Sequence, residues 1–235
     1  DIKEHTPKKD FIFLDSPETI FTQVKNSARR TIFMGQPSVA AYTLSQDLLG
    51  SYDANVDLRY SHWFNSVKNV GWVWLKYSVL TASPASEVSS EFLLRLPEVY
   101  LNKAEALIML GRTEEAIDVL RTLREKRLAA GTTDVIPTSQ EDLVQFVRLE
   151  RRLELCGEGH RWFDLRRYAV HPTFPEEKEI VHESVKNGTK IGYYRLAPYS
   201  ENSNNWVWPI PEDAVIFNDG ALVANERDGA PLVEY

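Results

Sequence analysis

Between Leu96 and Leu123 the apolar positions repeat at helical spacing and change phase once. Tyr100, Leu101, Ala104, Leu107 and Ile108 fall on one face of a helix that opens with Pro97, where the missing N–H costs nothing. Gly111 is the stop signal, because glycine readily takes the left-handed conformation that ends helices. Thr113 is placed to cap a second helix, with Glu114 and Glu115 in its first turn, where the dipole favours acids. A second stripe follows at Ala116, Ile117, Leu120 and Leu123. So short a link makes the two helices antiparallel neighbours, and Ala104 and Ala116 are small where they would come closest.

A third helix is expected from about Glu141 to Cys156, behind the Ser139 and Asp142 of a capping-box pattern. Gly157 and Gly159 punctuate it, and a fourth runs from about His160 to Tyr168, with Trp162 and Phe163 read as core. The glycine-then-acid turn and the small residue opening the second helix resemble the tetratricopeptide repeat. One hairpin cannot bury both its faces, so the third and fourth helices, or an absent N-terminal part, must complete the core.

Strand signals are sparser. Ile20, Thr22 and Val24 alternate, and Phe11 to Leu14 form a further short candidate. Lys178 to Lys186 and Thr189 to Leu196 flank Asn187-Gly188, which suits a type I′ hairpin turn. Short helices are expected at Ser45 to Gly50 and from Pro211 to about Phe217, and Ser83 to Ser86 as a breaker. The fold class is mainly α: a tetratricopeptide-like helical core with long irregular loops and a small β-hairpin. Three segments make one domain. Residues 1–90 are loop-rich with short strands, 91–170 are the helical core, and 171–235 hold the hairpin and a proline turn.

The chain has 235 residues, is 43% hydrophobic and 26% charged, and carries a net charge of −7. That is an ordinary globular composition without the basic stripe of a nucleic-acid binder. The basic run Arg121 to Arg127 is broken by Leu123 and Glu125 and reads as a solvated helix face. The single cysteine, Cys156, excludes an internal disulfide and a thiolate cluster. No phosphate-cradling glycine motif, nucleophile elbow or H-E-x-x-H zinc motif occurs, so neither cofactor nor dedicated metal site is expected.

Two groups of residues invite chemistry. Glu150 and Glu154, at i and i+4, share a helix face amid Arg151, Arg152, Glu158, Arg161, Asp164, Arg166 and Arg167. Glycosidase carboxylates instead face each other across a cleft, and arginines would hold both ionised, the wrong direction for a general acid. A structural ion network, joining Glu150, Arg152, Glu154 and Arg161, is preferred over catalysis. The other group lies between Tyr52 and Leu80, where seven of 29 residues are aromatic, about twice the chain's 11% average. The stretch reads as loop with one or two strands. Tyr60, Trp63, Trp72 and Trp74, with Arg59 and Asn65, offer flat apolar faces beside guanidinium and amide groups, which is what sugar rings need. For each single ring, packing and binding remain open. Trp206 and Trp208 read as packing; Tyr193, Tyr194 and Tyr199 are left open.

Three ordered segments carry a resemblance: RLPEVYLNKAEAL (Arg95 to Leu107), ERRLELCGEGHRWFDLRR (Glu150 to Arg167), and the WPIP turn at Trp208 to Pro211. Weaker echoes occur at Ser45 to Arg59 and at Lys76-Tyr77. The sequence resembles the SusD/RagB outer-membrane nutrient-binding lipoproteins of Bacteroidetes, over roughly residues 18 to 225. Its NERDGAPLVEY tail departs from the Asn-Pro-Gly-Tyr-like ending of many members. The resemblance implies that the chain is the C-terminal part of a longer protein, or an unusually short member, of an exported family held at the outer membrane by an N-terminal lipid anchor, which is not in this sequence. It implies ligand loops outside the helical scaffold, non-catalytic capture of a nutrient such as an oligosaccharide, and a SusC-like TonB-dependent transporter as partner. A peptide-binding tetratricopeptide adaptor and a glycoside hydrolase are the rival readings.

Overall fold

The computed structural model describes residue 2 and residues 17–23, 43–68, 71–74, 76, 91–186, 189–218 and 220–235. The expected strand at Phe11 to Leu14, the breaker at Ser83 to Ser86 and the Asn187-Gly188 turn lie outside them. The described residues are mostly helical with small sheets, and the chain divides into two compact units, residues 1–159 and 160–235.

In the first unit, strand β1 (Thr19–Gln23) pairs antiparallel with β4 (Glu91–Arg95), and β2 (Phe64–Val67) with β3 (Gly71–Trp74). Helix α1 (Gln46–Leu49) is capped by Ser45, whose hydroxyl accepts from Leu48 N–H at 3.2 Å, and ends at Gly50. The aromatic stretch holds a helix the sequence pattern did not show, α2 (Leu58–Trp63), capped by Asp57. Helices α3 (Leu96–Met109) and α4 (Thr113–Arg124) form the expected hairpin, with Gly111 at φ +73° in the turn. Ala104 and Ala116 are both fully buried. Thr113 is the first helical residue rather than the cap; Arg112 occupies the cap position and makes no side-chain cap bond.

Helix α5 (Gln140–Glu154) packs on α3. Its capping box is half formed: Ser139 Oγ accepts from Asp142 N–H at 3.2 Å. The hydroxyl in turn donates to the Asp142 carboxylate at 2.7 Å. Aspartate is thus bonded to the cap hydroxyl, where a longer glutamate would reach the cap backbone.

The second unit begins with α6 (His160–Ala169), followed by β5 (Ile180–Lys186) and β6 (Thr189–Leu196). A short strand β7 (Val233–Glu234) adds to β6, giving the order β5-β6-β7. A 3₁₀ turn at Ser203–Trp206 and helix α7 (Glu212–Ile216) lie between. Trp206 is buried, and Trp162 is half-buried with its ring stacked on Trp206 at 5.2 Å. One expectation of packing fails here: Phe163 is exposed, because the buried face of α6 is set by Asp164, Leu165 and Tyr168. Trp208 is also exposed, yet its ring meets Trp162 edge-on at 5.9 Å. No helix among the described residues is long and apolar enough to cross a membrane.

Candidate functional site

The centre of the first unit is charged. Residues 56–58 pair with the segment leaving α4: Leu58 N–H donates to Arg127 O and Ala129 N–H to Val56 O. This brings Arg59 beside Arg127 on the face of α5 that carries Glu150 and Glu154. Arg59 is fully buried and donates to Asp57, to Glu150 Oε1 at 2.6 Å and to Glu154 Oε2 at 3.1 Å. Arg127, also fully buried, bonds Glu154 at 2.9 Å and Glu18 at 2.8 Å. Arg95, where β4 becomes α3, reaches Glu154 Oε1 at 2.6 Å and Glu158 at 2.7 Å. Lys76 donates to the Glu154 carbonyl at 2.7 Å and to Glu158, and lies 3.9 Å from the centre of the Trp63 ring.

Burial alone would push these carboxyls up, since a low dielectric disfavours charge. The arginines reverse it. Against its burial, Arg127, Arg95 and Arg59 hold Glu154 well below the usual carboxylate range. Arg59 and Arg124 lower Glu150, and Arg95 and Lys76 lower Glu158, again against burial. All three are ionised acceptors at neutral pH, saturated by fixed donors. Cys156 sits among them as a buried thiol, pushed up by burial and accepting from Tyr52 Oη at 3.2 Å. Such a thiol is inert.

This network differs from the expected one in membership. Arg152 is outside it, bonding Asp47 and Ser51 instead. Arg127 is core and Arg124, bonded to Asp134 and Glu150, is mostly buried, so Arg121, Glu125 and Lys126 are the solvated part of that run.

The aromatic stretch divides in the same way. Arg59 and Trp63, expected to face a ligand, are fully buried, Arg59 by its ion pairs and Trp63 under Lys76. Tyr60, Asn65, Trp72 and Trp74 are half-buried. They rise from α2 and the β2–β3 hairpin, where Asn65 pairs with Val73 and Phe64 with Trp74. The Tyr60 ring lies 5.2 Å from Trp72, tilted at 56°, and Phe64 meets Trp74 edge-on at 5.5 Å. Trp74 also rests on Gly157: a Cβ there would come within 3.2 Å of the indole. The three half-buried rings form a rim packed against the core cluster that holds Tyr52, Phe64 and Leu153. Among the described residues no group of three His, Cys, Asp or Glu side chains could hold a metal ion.

With this fold and geometry, the SusD family model matches residues 22–227. The chain belongs to the SusD family. Two relatives from Formosa agariphila are similar to it over part of their length. SusD-like protein P38 is 41% identical over 98 residues, which are 39% of this chain and 20% of P38. SusD-like protein P2 is 32% identical over 101 residues, 40% of this chain and 20% of P2. Among solved structures, a SusD superfamily protein from Bacteroides thetaiotaomicron superposes on 96% of this chain with a TM-score of 0.65 at 21% identity. A SusD-like carbohydrate binding protein from Bacteroides vulgatus covers 91% with a TM-score of 0.62 at 18% identity. This SusD-family chain spans 48% and 50% of those two structures. Most of these buried charges lie in the segments that carried the family likeness: Arg59, Lys76, Arg95 and the Glu150 to Glu158 run; Arg127 lies outside them.

Proposed function

We propose that this protein captures a glycan at the cell surface without cleaving it, for delivery to a SusC-like TonB-dependent transporter. The observation that carries the reading is SusD-family membership along nearly the whole chain, with a solved relative described as a carbohydrate binding protein sharing the fold. In this reading the helical hairpin and α5 are a tetratricopeptide-like scaffold, and both units belong to one SusD/RagB domain. The remaining part of a longer chain supplies the lipid anchor that holds it at the outer membrane. Tyr60, Trp72 and Trp74, with Asn65 beside them, offer ring faces and an amide to sugar. Arg59 and Trp63 hold that rim in place from beneath.

The glycoside hydrolase reading is disfavoured. Glu150 and Glu154 are saturated by arginines and share one buried helix face, with no room for a sugar between them. Stacking on two or three half-buried rings supports modest affinity; a dissociation constant of ~1 mM needs only about −4 kcal/mol. The test is calorimetry of Trp72→Ala and Trp74→Ala against the best ligand from a glycan array. Roughly tenfold weaker binding in at least one, about 1.4 kcal/mol, with an unchanged melting temperature, is expected. Full affinity in both would remove the rim from the site.

A further inference from the structure

A second surface in the molecule has the makings of a site, in the unit formed by residues 160–235. The register of the β5–β6 ladder sets Ile180 opposite Leu196 and His182 opposite Tyr194. Pairs two residues apart on an antiparallel ladder share a face, so these four side chains form one floor. Beside it runs the segment from Arg227 to Ala230, and the two line an open cleft of about 510 Å³. Small-ligand sites fall in the range of about 300–1,000 Å³.

The wall is anchored on both sides. Arg227 Nη2 donates to Asn205 O at 2.9 Å, and Asn202 Nδ2 donates to Asp228. Further on, β7 pairs with β6 at Gly192 and Tyr193. Gly192 makes that approach achievable: a Cβ there would lie 2.2 Å from the Val233 carbonyl oxygen.

We propose that this cleft is a second carbohydrate site, taking one neutral pyranose unit of the glycan; the proposal rests on the glycan-capture reading above. The Tyr194 ring, 41% exposed on the floor, offers the apolar face on which a sugar's C–H surface stacks. Arg227 and Asp228 both line the cleft and bring donors and an acceptor to it. Vicinal hydroxyls need that arrangement, since each both donates and accepts. Asn205 lines the same cleft, and its Oδ1, buried just beneath the surface, has no hydrogen-bond partner in the fold. The charge balance selects a neutral sugar. Arg195 at the edge is clamped by Glu179 at 2.6 Å and Glu201 at 2.8 Å, and Arg227 stands next to Asp228. A uronate would meet the Asp228 carboxylate, and the Arg227 guanidinium is already engaged by the Asn205 carbonyl.

The experiment is amide NMR of the isotope-labelled full chain, titrated with neutral cello-, xylo-, galacto- and manno-oligosaccharides and, separately, with trigalacturonate. At least one neutral sugar should shift signals of His182, Tyr194 and residues 227–230. Tyr194→Ala should weaken that response roughly tenfold while leaving shifts around Trp72 unchanged, and Tyr194→Phe, which keeps the ring, should retain it. Shifts around Trp72 with none at this cleft would overturn the second site and leave the capture reading standing. A cleft responding only to trigalacturonate would overturn the neutral class. Silence at both places with every sugar would overturn both.

Discussion

Glu154 sits where Arg59, Arg95 and Arg127 meet, with no exposure of its own. Glu154→Gln keeps the shape and removes the charge, leaving the buried arginines under-compensated. Breaking a buried pair costs about 3–5 kcal/mol, so a large drop in melting temperature is expected, with glycan binding intact in the folded fraction. A variant as stable as the parent would show that the arginines find other partners. Gly157 is constrained twice, by φ +77° and by the Trp74 indole. Gly157→Ala should destabilise by about 1–3 kcal/mol and alter the tryptophan emission through Trp74. The acid half of the network was legible in sequence, because Glu150 and Glu154 share a helical spacing amid arginines. The cations were not. Arg59, Lys76 and Arg95 lie 95, 78 and 59 residues from Glu154, and no local period links them. The same distance hid the fate of Trp63: its aromatic neighbours suggested a ligand loop, but Lys76 above it makes it core.

Among the elements, the α3–α4 hairpin was the most legible, since two apolar stripes, a glycine and an acidic first turn agree with each other. Ala104→Leu or Ala116→Leu should overpack the buried contact and cost about 1–3 kcal/mol by thermal melt; unchanged stability would mean that these alanines do not meet a close-packed surface. Helix α2 was missed because six residues are under two turns, too few to show a period beside so many aromatics. Strand β7 was missed because two residues carry no alternation at all. Its seat is testable through Gly192, where any side chain must displace the Val233 backbone. Gly192→Ala should release the C-terminal strand, seen as faster amide exchange in β7 and its β6 partners with the rest of the second unit unchanged. Unaltered exchange there would contradict the pairing.

For the molecule as a whole, a charged centre makes stability depend on acid. Glu150, Glu154 and Glu158 are all held below their ordinary range in the folded state. In the unfolded chain such carboxyls titrate near ~4.3, so their contribution is complete above about pH 5 and is lost as pH falls through the lower folded values. The melting temperature should be flat from about pH 6 to 8 on account of these groups and drop steeply below about pH 4.5; Glu154→Gln should flatten that drop. A parent whose melting temperature holds steady down to pH 3 would contradict an ionised network.

The central claim is capture without cleavage, and it reduces to a mass balance. The 235-residue chain is incubated with the oligosaccharide that it retains best from a glycan array, and the bound and free sugar are recovered and weighed by mass spectrometry. The account predicts retention of sugar at millimolar or better affinity, with every recovered molecule at its starting mass. Shortened chains with new reducing ends, or no sugar retained from any glycan, would contradict it.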